Sequence, residues 1–100
     1  MAVVYIEEFP ESPVGKNGQI IPAGRQPSLA TQVVSITVGS LQSAAFNAKT
    51  KFIRMHADSV CSYLFGSNPT ATTTTPRMAA NQTEYFAVNA GDKVAVISNT

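Results

Sequence analysis

Apolar and polar residues alternate with a period of two along most of this chain, the mark of half-buried β-strands. Thr31 to Val38 shows it most clearly, with Val34, Ile36 and Val38 facing one way and Val33, Ser35 and Thr37 the other. Lys51 to Ala57 repeats it, with Ile53, Met55 and Ala57 opposed to Phe52, Arg54 and His56. Ala2 to Phe9, Val60 to Phe65, Glu84 to Val88 and Lys93 to Ser98 are further strands, and Arg77-Met78-Ala79 a short one. Ser43 to Thr50 reads as a short edge strand or a loop. Turn residues punctuate the strands: Asp58-Ser59, Gly66-Ser67-Asn68-Pro69 and Asn89-Ala90-Gly91-Asp92, the last with Gly91 free to take positive φ. The pattern predicts a hairpin from Lys51 to Phe65 and a second pair from Glu84 to Ser98. Seven or eight short strands with turn signals about every eight to twelve residues predict an all-β fold, a small β-sandwich or jelly-roll-like domain with no long helix.

Pro10 to Pro27 departs from this pattern. It holds Pro10, Pro13, Pro22 and Pro27 together with Gly15, Gly18 and Gly24, which suit neither a central strand nor a helix. It is also long for a loop in a compact domain. The chain therefore divides into an N-terminal strand and extended Pro/Gly-rich arm over residues 1–30 and a β-sandwich domain over residues 31–100. Such a segment reads as a mobile stretch or as an arm ordered against another chain; the apolar pair Ile20-Ile21 favours the arm, and Asn17-Gly18 is a turn signal within it.

One hundred residues make one domain at most, and a domain of that size buries only about 60–65% of its unfolded surface. Charged residues make up 13%, about half the usual share, and the net charge is +1. So neutral a surface, rich in Thr, Ser, Ala, Asn and Gln, suits a protein covered by other subunits; a neutral monomer is the other reading. The scattered basic residues form no stripe of the kind nucleic acid needs, so nucleic acid is not expected as a partner. Glu7, Glu8 and Glu11 read as a solvated acidic strand end. The start lacks a basic, long apolar leader and no stretch has transmembrane length, so no membrane association is expected.

The residues offer little chemistry. Cys61 is single, cannot form an internal disulfide and reads as a small buried hydrophobe. His56, the only histidine, cannot supply a multi-imidazole metal site and reads as a surface or interface side chain beside Asp58. A Cys61–His56 nucleophile and base lacks an obvious third, orienting group. Asp58, Glu84 and Asp92 sit where turns and strand ends ordinarily place acids, not as a catalytic pair. Gly15-Lys16-Asn17-Gly18 lacks phosphate-loop spacing. Tyr63, Phe65, Tyr85 and Phe86 read as core or subunit-interface side chains. No cofactor, metal or enzymatic activity is expected.

Several segments resemble small proteins encoded in the head-assembly regions of tailed bacteriophages. They are Phe46 followed by Thr50-Lys51-Phe52-Ile53-Arg54, Asp58-Ser59-Val60-Cys61, Phe65 through Thr72, Arg77 through Asn81, Glu84 through Val88 and Gly91 through Ile97. The resemblance covers a little over half the chain and none of it before Thr31. It implies a virion protein assembled in the host cytoplasm, a capsid decoration (cement) protein bound to the major capsid protein and to copies of itself. A head-fibre base, or a receptor- or carbohydrate-binding module, is the alternative. With the composition of the arm, it marks Ile20, Ile21, Arg25, Phe46, Arg54 and Arg77 as candidate partner-binding residues.

Overall fold

The structure, a computed structural model, describes residues 2–10 and 28–99. Among them the chain is all-β, with eight strands: β1 (Val3–Phe9), β2 (Ala30–Ser35), β3 (Leu41–Gln42), β4 (Phe52–Ala57), β5 (Cys61–Gly66), β6 (Arg77–Met78), β7 (Gln82–Ala87) and β8 (Lys93–Ser98). Two antiparallel sheets form, in the orders β2-β1-β4-β7 and β3-β8-β5-β6. They are called below the β1 sheet and the β8 sheet.

The strand order has a simple logic. The pairs β5–β6, β4–β7 and β3–β8 nest around the 67–76 connection like successive rungs of one long hairpin, and consecutive rungs fall in opposite sheets. That rolled ribbon is the jelly-roll scheme. The fourth rung pairs β2 with β1, so the strand completing the roll comes from the beginning of the chain. β1 lies between β2 and β4, and its Val4 and Ile6 are fully buried. It therefore belongs to the body of the sandwich, not to an arm. The rest of the expected arm, residues 11–27, lies outside the described residues.

The two expected hairpins are corrected. β4 and β5 lie in different sheets, and so do β7 and β8. Turn residues mark where the chain reverses but not whether it stays in one sheet. Here each turn is a corner, because the apolar faces on either side must meet across the core. Val4, Ile6, Ile53, Met55 and Ala57 from the β1 sheet pack against Cys61, Met78, Val94 and Val96 from the β8 sheet. Rings of Tyr63, Phe65 and Phe86 fill the remaining width, with Phe86 centred 5.2 Å from Tyr63 and 5.0 Å from Phe65. The expected face of Ile53, Met55 and Ala57 is thus the inner face. Val34 and Ile36 also point inward, but β2 ends at Ser35 and Val38 stands 94% exposed beyond it. Gly91 takes the positive φ expected of it, at 82°.

Candidate functional site

The alternation that turns Val4, Ile6, Ile53 and Met55 inward turns Tyr5, Glu7, Arg54 and His56 outward. Register aligns these into rows across the outer face of the β1 sheet. One row runs Val33, Tyr5, His56, Thr83; the next runs Thr31, Glu7, Arg54, Tyr85. Tyr5 is 46% exposed and Tyr85 56%. Between them Arg54 reaches Glu7 at 3.3 Å, a partly exposed pair that adds little stability. At the far end of this face Phe9 stacks on Phe52 with ring centroids 5.0 Å apart, and Phe9 is only 1% exposed although it faces away from the core.

The outer face of the β8 sheet is built differently. It carries small residues in its middle, Ser62 and Ala95, and both are fully buried. The 67–76 connection lies over them. Gln42 Nε2 donates to Pro69 O at 2.7 Å and Asn68 Oδ1 at 2.9 Å, and Ala71 N–H donates to Ser40 Oγ at 2.9 Å. Asn99 Nδ2 donates to Ser62 Oγ at 2.7 Å and to Thr73 O at 3.2 Å. The Thr-rich stretch is therefore exposed, as expected, but it is wound and fastened. Thr75 donates to Thr72 O through both its N–H and its hydroxyl, and Ala71 is buried beneath.

Histidine and cysteine stand apart. Cys61 is buried in the core, where desolvation pushes its thiol up from the ordinary 9.0. Burial also raises Tyr63, with smaller contributions from the charges of Glu84 and Cys61. His56 is on the outer face of the opposite sheet, so the two cannot work as nucleophile and base. His56 Nδ1 is 2.7 Å from Thr83 Oγ1, and Nε2 is 3.8 Å from Asp58 Oδ1. A hydroxyl, an imidazole and a carboxylate in file resemble a hydrolytic triad. However, 3.8 Å is too long for the hydrogen bond that would orient the ring, and all three side chains lie on an open sheet face. Among the described residues no group of three or more His, Cys, Asp or Glu could hold a metal ion, and no helix is long and apolar enough to cross a membrane.

Glu8 was the strongest departure from expectation among the acids. It is buried, not solvated, and its charge is met by neutral donors. Gln32 Nε2 donates to Oε2 at 2.9 Å, while Asn47 N–H and Thr50 Oγ1 donate to Oε1 at 2.8 and 2.9 Å. Gln32 in turn accepts from Ala44 N–H at 2.8 Å. A carboxylate with its lone pairs so occupied can be buried without a cation. Its effect is structural: it ties the 43–51 loop to β1 and β2 and closes one end of the sandwich.

Of the residues singled out by sequence, Arg54 stands at the centre of the outward face of the β1 sheet. Phe46 is buried in the core, 6.3 Å from the Phe65 ring, so its face is taken up within the fold. Arg77 lies on the edge strand β6 of the other sheet, where its Nε donates to Asn99 O at 3.4 Å. Arg54 and Arg77 thus do not converge. Ile20, Ile21 and Arg25 lie outside the described residues. Sequence reasoning missed Tyr5 and Val33 as surface features, although their places in the period-two pattern opposite Val4 and Val34 marked them. Tyr85 carried no such signal, because Glu84-Tyr85-Phe86 does not alternate. Compared with protein-family models, curated proteins and solved structures, the chain matches none.

Proposed function

We propose that this chain is a structural virion protein, a decoration or cement protein that binds the outer surface of a tailed-phage capsid and stabilises contacts between capsomers. The observation that carries the reading is the difference between the two outer faces. One sheet has the middle of its outer face covered by its own loop, over Ser62 and Ala95. The other offers Tyr5, Tyr85 and Arg54, the residue types enriched where proteins meet. The resemblance of residues 46–100 to phage head-assembly proteins supplies the kind of partner, the major capsid protein together with copies of this chain. Low charge suits a surface covered in an assembly. Repetition on a lattice would turn modest contacts into firm attachment.

The test is mass spectrometry of purified particles, followed by co-sedimentation of the purified protein with particles that lack it. Binding lost on Arg54→Ala with Tyr85→Ser, while the protein still folds, supports the reading; absence of the protein from particles removes it. The alternative, a head-fibre or receptor- or carbohydrate-binding module, draws on the same tyrosines, since exposed rings can stack on sugars. A glycan array separates the two, because a decoration protein leaves it silent.

A further inference from the structure

We propose, resting on the docking reading above, that attachment through the outer face of the β1 sheet is coupled to proton uptake by His56 and so tightens in acid. Register places the histidine under such a partner. Tyr5 stands directly opposite His56, and Tyr85 directly opposite Arg54. A flat partner that touches Tyr5 on β1 and Tyr85 on β7 must cross β4 between them, where Arg54 and His56 stand. Asp58 borders the same footprint. It continues the alternation of Arg54 and His56, and its N–H donates to Val3 O at 3.0 Å, so the ladder with β1 runs on past the end of β4.

The charges on this face are matched at one place and not at the other. Arg54 has Glu7 at 3.3 Å. Asp58 has only the His56 ring as an ion-pair partner among the described residues, at 3.8 Å, and a neutral ring brings it no charge. The His56 and Asp58 side chains are 27% and 37% exposed, so in the free chain water solvates the carboxylate. Docking removes that water. Beside a neutral imidazole the desolvated carboxylate is unpaired, which is costly; beside an imidazolium it is half of an ion pair.

The surroundings of His56 suit the charged ring. Nδ1 is 2.7 Å from Thr83 Oγ1, a hydroxyl that accepts as readily as it donates. With both nitrogens protonated, Nδ1–H donates to Thr83 Oγ1 and Nε2–H points to Asp58. The ionisable groups that face His56 among the described residues are Tyr5 and Glu7 on β1, Arg54 on β4, Tyr85 on β7 and Asp58 beyond β4. Glu84 is paired with the core residue Met55 and lies out of this row. Glu7 is committed to Arg54, so that pair adds little net charge. An imidazole is the one side chain of this set whose charge ordinarily changes near neutral pH. A docked state that favours the imidazolium is itself favoured, by the same factor, when His56 is protonated.

The test is co-sedimentation of the full chain with particles that lack it, at about pH 8 and about pH 6. The dissociation constant of the unaltered chain should fall about fivefold or more toward acid. His56→Gln can take no charge, and its dissociation constant, whatever its size, should be equal at both pH values. Asp58→Asn removes the carboxylate that needs the cation. It should flatten the profile too, with the affinity in the alkaline sample raised toward that of the unaltered chain in acid. Either variant decides the matter if the other folds poorly. An affinity that is flat or weakens toward acid in the unaltered chain, or a tightening that persists in folded His56→Gln or Asp58→Asn, would overturn the proposal and leave docking intact. No sedimentation at either pH would remove the docking reading and the proposal together.

Discussion

Ala95 and Tyr5 both stand on strand faces turned away from the core, yet Ala95 is fully buried and Tyr5 is half exposed. The difference follows from side-chain size and from what lies above. On the β8 sheet, Ala95 and Ser62 leave a shallow bed into which the 67–76 connection settles, held by Gln42, Ser40 and Asn99. On the β1 sheet, Tyr5, Arg54 and Tyr85 stand up from the strands, with Arg54 fixed by Glu7. One sheet buries the middle of its outer face as well as its inner face. The other folds with one face and leaves Tyr5, Val33 and Tyr85 exposed on the second. Outward alternation alone does not mark a free surface; it does so only where bulky side chains leave no bed for the chain's own loops.

The sharpest way to break this contrast is to place a charge on each face. Ala95→Glu buries a carboxylate under the loop and should cost about 3 kcal/mol or more, whereas Tyr5→Glu should change stability by less than about 0.5 kcal/mol. Urea denaturation of both variants checks this, and equal costs would mean that the loop does not cover the β8 sheet. Glu8→Ala comes next. It strips the acceptor from Gln32, Asn47 and Thr50 and should cost about 2–3 kcal/mol, with the 43–51 loop amides exchanging faster. Asn99→Ala removes one fastening of the loop that covers the β8 sheet and should cost about 1 kcal/mol in the same assay.

Alkaline pH has the smallest effect. Cys61 and Tyr63 hold their protons more tightly in the folded chain than in the unfolded one, because burial disfavours their anions. Above the ordinary thiol value of 9.0 the unfolded chain loses its proton first. Stability is therefore full below that pH and falls as pH rises through the folded values. Cys61→Ala should flatten the thiol part of the decline, as read from denaturation midpoints on either side of pH 9.0. An unchanged slope would place the effect elsewhere.

The strands were legible because period-two alternation reports burial on one face directly, as in Ile53, Met55 and Ala57. Their pairing was not. Asp58-Ser59 and Asn89 through Asp92 look alike whether they close a hairpin or turn a corner between sheets. Glu8 was misread because the sequence shows a charge but not the three donors folded around it. Phe46 was misplaced because a loop has no periodicity to say which way a ring points. The open face was partly legible, since Tyr5 and Val33 fall opposite buried neighbours. The cover over the β8 sheet was hidden, because small residues such as Ser62 and Ala95 look the same exposed or buried.

The most direct trial is co-sedimentation with stripped particles of two matched variants, Tyr5→Glu with Tyr85→Glu on the open face and Thr70→Glu with Thr73→Glu on the loop over the β8 sheet. Loss of binding in the tyrosine pair, with binding kept in the threonine pair and both variants folded, is the predicted result. Binding lost only in the threonine pair, or kept in both, would contradict the assignment of contact to the β1 sheet.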